Sequence, residues 1–183
     1  MRIANSYFCP FLLVFLGAVL SAERLGVVSV EPAVHSMNTQ QAKSDSDWRI
    51  VDAGALSILA PPNWKFHQLV GVDSYVGEFT GDDMSLTFDF GRYSSSLKEA
   101  KEPAYIVVHK SIANLSAKIV SPKTPGHGIT GIYFPKTFGS NKLCLFGPDL
   151  TPSQQSLTLK IFETVRFGHS VPPIIPPPAK EQQ

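Results

Sequence analysis

A chain of 183 residues that is 43% hydrophobic has room for one domain with a true core, plus tails. Its 16 basic and 15 acidic residues leave a net charge of +1, and no run of Lys or Arg occurs. That balance excludes an electrostatic case for nucleic acid or anionic lipid as partners.

At the N-terminus, Arg2 and the amino group precede the apolar run Phe11 to Leu20, followed by Ser21 and Ala22. The run has the length of a signal-peptide core and is too short to span a bilayer comfortably. Residues 1–22 are therefore expected to be a leader cleaved near Ser21-Ala22, leaving a periplasmic or extracellular chain with no membrane span. Tyr7 and Phe8 lengthen the apolar run, and a retained anchor is the alternative. Cys9 precedes the apolar core and is followed by Pro10, which does not fit a lipoprotein cleavage box. Once the leader is removed, Cys144 has no partner for an internal disulfide. Its apolar setting, Leu143-Cys-Leu-Phe146, makes it a buried, inert thiol.

Residues 23–46 show no period and read as a linker. The domain is expected over 47–168. Trp48–Val51 and Leu56–Ala60 are two short strands around the turn signal Asp52-Ala-Gly54, and Pro61-Pro62 stops the second. Trp64 follows at the edge of the core, then a strand over 74–79 and the turn Gly81-Asp-Asp83. Next comes strict alternation, with Met84, Leu86, Phe88 and Phe90 on one side and Ser85, Thr87 and Asp89 on the other. That is a half-buried antiparallel strand. Ser95 to Glu102 has room for a helical turn or two before Pro103. Tyr105–His109 and Ala117–Val120 pair across a turn at Asn114, and 129–134 pairs with 142–146.

The strongest local signal comes last. Thr151 is an N-cap, Pro152 suits the first helical position, and Gln154 completes a capping box. Leu157, Ile161 and Val165, with Thr158 and Phe162 alongside, form one buried stripe, while Gln154, Gln155, Lys160 and Glu163 stay wet. Gly168 closes the segment. Tightly spaced strands followed by one strong helix predict an α+β fold with an antiparallel sheet and a C-terminal amphipathic helix packed on it. The proline-dense stretch 169–183 is expected to be an extended or disordered tail.

Two segments carry a resemblance: Ile58-Leu-Ala-Pro-Pro-Asn-Trp-Lys65, and the Thr151-Pro-Ser-Gln-Gln155 helix start leading into Thr164-Val-Arg-Phe167. With Asp73–Glu78 and Phe88–Gly91, they resemble the PsbP/Mog1-like fold, in particular small exported bacterial proteins, over 47–167. Asn63 stands where that family's turn has glycine, a mild departure because Asn tolerates the left-handed region. The resemblance implies a central antiparallel sheet flanked by helices, no catalytic residues, and an accessory, partner-binding role.

Candidate sites are sparse. Asp82, Asp83 and Asp89 are the densest acidic cluster and the weak candidates for a metal ion, without EF-hand spacing. His127, in Gly126-His-Gly128, has no evident carboxylate to orient it, and no histidine pair or CxxC fits zinc. Phe66, Tyr75, Phe79 and Tyr93 could line a groove but suit core packing better. Asn114-Leu-Ser116 fits a glycosylation sequon. No catalytic residue and no cofactor is expected. The chain reads as an exported, non-enzymatic module that binds a protein or an envelope component. The alternative is a small enzyme or a metal or small-molecule binder, its site assembled from Asp82, Asp89 and His127.

Overall fold

Alternation of apolar and polar side chains builds nearly all of the architecture. The computed structural model describes residues 47–168 and 171–177. In chain order they form β1 (Arg49–Asp52), β2 (Leu56–Ala60), β3 (Lys65–Gln68), β4 (Tyr75–Gly81), β5 (Met84–Gly91), β6 (Tyr105–Ile112), β7 (Leu115–Pro122), β8 (Ile129–Phe134), β9 (Lys142–Pro148), α1 (Pro152–Glu163) and β10 (Arg166–Phe167). Two antiparallel sheets result: a three-stranded one in the order β1-β2-β10, and a seven-stranded one in the order β3-β4-β5-β9-β8-β7-β6. The expected leader at 1–22, the expected linker at 23–46 and the rest of the expected tail lie outside the described residues.

The main core lies between the large sheet on one side and the small sheet with α1 on the other. Leu86, Phe88 and Phe90 of β5 point into it, as the alternation predicts, together with Ile58, Trp64, Leu143, Ile161 and Phe162. Trp64 is fully buried there rather than at the rim. The four-residue strand β3 was not expected, since Phe66 is the only apolar side chain it offers.

Flanking helices are a correction: α1 is the one α-helix among the described residues. Residues 95–102, read as a helical turn, are irregular. Leu97 adopts φ 52°, and the ammonium of Lys118 donates to the carbonyls of Ser96 and Leu97 at 3.3 and 2.8 Å. Helical acceptors are thus taken by a side chain from the sheet. This loop does a helix's covering work on the outer face, where Leu97 and Ala100 pack against Val120, Tyr133 and Cys144.

Helix α1 begins as its capping box dictates. The Thr151 side chain accepts from the Gln154 N–H, and the Gln154 side chain accepts from the Thr151 N–H at 3.0 Å. Thr158, Ile161, Phe162 and Val165 of the expected stripe are fully buried, with two departures. Gln155 is buried instead of wet, its amide donating to Pro122 O at 3.2 Å, and Leu157 is only half-buried. A bond to the end of β7 holds that amide inside, which a hydrophobic count alone does not foresee.

After α1 the chain returns to the small sheet. The Thr164 hydroxyl accepts from Leu59 N–H at 2.9 Å, and β10 pairs with β2 through Arg166↔Ser57 and Phe167↔Leu56. Gly168 then donates to Ala55 O at 2.9 Å, so close that a Cβ there would sit 1.9 Å from the Gly54 carbonyl oxygen. Part of the proline-dense end touches the domain. Ile175 bridges Val70 in parallel, accepting from Gly71 N–H at 2.9 Å, and Gln68 donates to Pro173 O at 2.7 Å.

Candidate functional site

The acidic cluster is structural in its most exposed part. Asp82 and Asp83 form the two-residue turn between β4 and β5, both at positive φ (50° and 56°), as a twist-matched hairpin requires. The two carboxylate oxygens of Asp82 accept from Asn63 Nδ2 at 3.0 Å and from the Trp64 indole N–H at 2.9 Å. The hairpin is thereby pinned to the Pro-Pro-Asn-Trp element. The Asp83 carbonyl accepts from Gln154 Nε2 at 3.3 Å, which links the same turn to the start of α1. Asp82→Ala should therefore cost about 2 kcal/mol of stability, through the lost bonds to a charged acceptor. Urea denaturation followed by tryptophan fluorescence would measure it.

Asp89 lies seven residues further along β5, roughly 23 Å away by strand rise. It is on the outer face, opposite Cys144 of β9. Burial, then the neighbouring Asp89 carboxylate, push the Cys144 thiol up to about 12. A thiol so protonated is no nucleophile at neutral pH. Burial likewise raises the Tyr133 phenol next in that row, with Cys144 as a second cause. His127 sits in the loop between β7 and β8, at the rim of a groove of about 510 Å³ that Tyr105, Lys123 and Thr124 also line. Asp82, Asp89 and His127 thus come from a turn, a mid-sheet row and a separate loop. Among the described residues no three His, Cys, Asp or Glu side chains converge on a position for a metal ion.

The aromatic candidates divide in the same way. Phe66, Tyr75 and Phe79 surround Phe88 at centroid distances of 6.0, 5.4 and 5.6 Å, a packed cluster with no room for a ligand. Tyr93 is 75% exposed and stands apart from it. Asn114 is exposed in the β6–β7 turn at φ 63°.

The feature that local sequence did not single out is β6. It is the outermost strand of the seven and pairs only with β7, over all eight of its residues. The two-residue turn Ala113-Asn114 makes Ile112↔Leu115 the first bonded pair. By alternation, Ile106, Val108 and Lys110 also bond to β7, while the N–H and C=O groups of Val107, His109 and Ser111 point outward. Ile106 and Val108 are 50% and 44% exposed on the face shared with α1, beside the Lys110–Glu163 ion pair at 2.5 Å. Next to β6, on the outer face, His109, Lys118 and Tyr133 line a groove of about 340 Å³.

The other edge strands among the described residues are short. β3 has four residues, with the 171–177 segment running beside its exit. β1 carries Arg49 and Asp52 at its ends, and β10 has two residues. Only β6 among the described strands offers a long, proline-free, β-branched edge with no acidic residue, the kind that pairs with added strands. A sequence signal existed in Ile-Val-Val over 106–108, but its place at the sheet edge is a property of strand order. Among the described residues no helix is long and apolar enough to cross a membrane. The chain matches no family model, no curated protein and no solved structure.

Proposed function

We propose that this chain is an exported, non-enzymatic accessory module of the PsbP/Mog1-like kind that takes an extended segment of a partner as an added strand on β6. One observation carries the reading. An eight-residue strand presents outward backbone donors and acceptors beside exposed Ile106 and Val108, whereas the other described edge strands have four residues or fewer. Main-chain bonds supply affinity in strand addition, and alternate side chains supply selectivity. The scatter of Asp82, Asp89 and His127 over separate elements favours this reading over an assembled catalytic site.

His109→Pro tests it. The His109 N–H faces away from β7, so proline there spares the native ladder, as edge positions allow. It removes one outward donor and puts a ring in the path of an incoming strand. The expected result is a folded domain with the wild-type circular dichroism spectrum, with loss of the protein that the wild-type chain recovers from its host's exported fraction. Undiminished recovery by a folded His109→Pro variant would overturn the assignment of β6 as the binding edge.

A further inference from the structure

We infer that the strand occupying β6 is that of a second copy of this chain, paired antiparallel about a twofold axis through Val108. The inference rests on β6 being the binding edge and adds the identity of its occupant. A twofold perpendicular to the sheet keeps each face continuous, so a residue meets one of the same parity in the partner. Outward-bonding residues must also meet outward-bonding residues.

Three registers satisfy both conditions near the middle of the strand, and side chains select among them. Centring on His109 opposes two imidazoles. Centring on Val107 sets Tyr105 opposite His109 and needs the Tyr105 N–H, which already donates to Lys101 O at 3.3 Å. Centring on Val108 uses the N–H and C=O of Val107 and His109 from each copy, making four main-chain bonds between groups that β7 leaves free. It sets Val108 against its own symmetry mate and Ile106 against the aliphatic stem of Lys110. On the other face Val107 meets the His109 ring.

Charge agrees with self-pairing. The Lys110 ammonium is matched within its own chain by Glu163 at 2.5 Å, and β6 carries no carboxylate that would call for a basic partner. Two copies therefore meet without opposed like charges in the central pairs, and Ile106 and Val108 lose their exposure together. The result is one continuous sheet of fourteen strands, from two sheets of seven.

The test is cross-linking together with sedimentation, on the full chain with Cys9 replaced by serine. The central Val108 pair is a non-hydrogen-bonded one, with Cα atoms about 4.5 Å apart, within disulfide reach. Val108→Cys should convert most of the protein to a disulfide-linked species of doubled mass under mild oxidation. Val107→Cys, whose symmetry mates lie diagonally, should not, and buried Cys144 contributes no background. The chain without an added cysteine should sediment as a dimer, and His109→Pro as a monomer. A chain that stays monomeric at every concentration, with no Val108→Cys product, overturns the inference. Loss of a different captured protein by His109→Pro would then still uphold β6 as the binding edge. A dimer that survives His109→Pro places the interface elsewhere and also overturns it.

Discussion

Replacing Phe88 with alanine is expected to destabilise the domain by about 3–5 kcal/mol, a large share of what such a domain has. Phe88 is fully buried at the centre of the main core, with the rings of Phe66, Tyr75 and Phe79 around it. Its cross-strand neighbour on β4 is Gly77, where a Cβ would stand 2.8 Å from the Phe88 ring and 2.6 Å from Phe66. That glycine exists to make space for the ring. Rigid aromatic walls collapse poorly into a cavity, so the cost belongs in the upper part of the range. Denaturant titration of both proteins checks this, and a loss below about 1 kcal/mol would mean the cluster is loosely packed. Gly77→Ala should also destabilise alone through its clash. In the Phe88→Ala background half of that clash is gone, so the two changes should sum to less than their separate costs.

The second large effect depends on pH. In the folded chain Cys144 stays protonated up to about 12, against an ordinary value near 9, because burial and then Asp89 oppose the thiolate. Below pH 9 both states hold the proton and the group contributes its full stability. Between 9 and 12 the unfolded chain ionises and the folded one does not, so stability falls as pH rises, by up to about 1.4 kcal/mol per unit. Tyr75 and Tyr133, also raised by burial, act with the same sign at higher pH. Denaturation curves at intervals from pH 8 to 11 should therefore show an alkaline decline that is shallower in Cys144→Ala. Equal slopes in the two proteins would show that the thiol gains access to solvent without unfolding. With Cys9 replaced by serine, thiol reagents at pH 8 should leave the native protein unlabelled and label it once denatured.

Much of the fold was legible where one face of an element meets water. Met84 to Phe90 alternates because β5 has a core face and a partly solvated one, and Thr151-Pro-Ser-Gln announces α1 because capping is local chemistry. Legibility failed where partners are distant. Lys65–Gln68 has one apolar residue and becomes a strand only because β4 offers it a ladder. Residues 95–102 have helix-compatible composition, but Lys118 from β7 takes their carbonyls. Gln155 looks solvent-facing until Pro122 is placed above it. The candidate site follows the same division. Asp82 read as a turn residue and is one, whereas its bond to Trp64 needed the third dimension. The exposed edge of β6 was invisible for the deepest reason: being outermost is a relation among seven strands and is written in none of them.

The three-stranded sheet has a consequence for when the domain can be complete. Its middle strand, β2, forms near the start of the domain, yet one of its two neighbours, β10, is among the last residues of it. Leu59 and Thr164, bonded to each other, are 105 positions apart. Closing such a span carries its entropic cost before any contact repays it, which slows folding. On a ribosome, a chain paused before Phe167 lacks the third strand of the small sheet. The small sheet therefore cannot be completed in stages from its first strand. That sheet stays open until almost all of the domain has been made, and then closes with the domain's first strands held by its last.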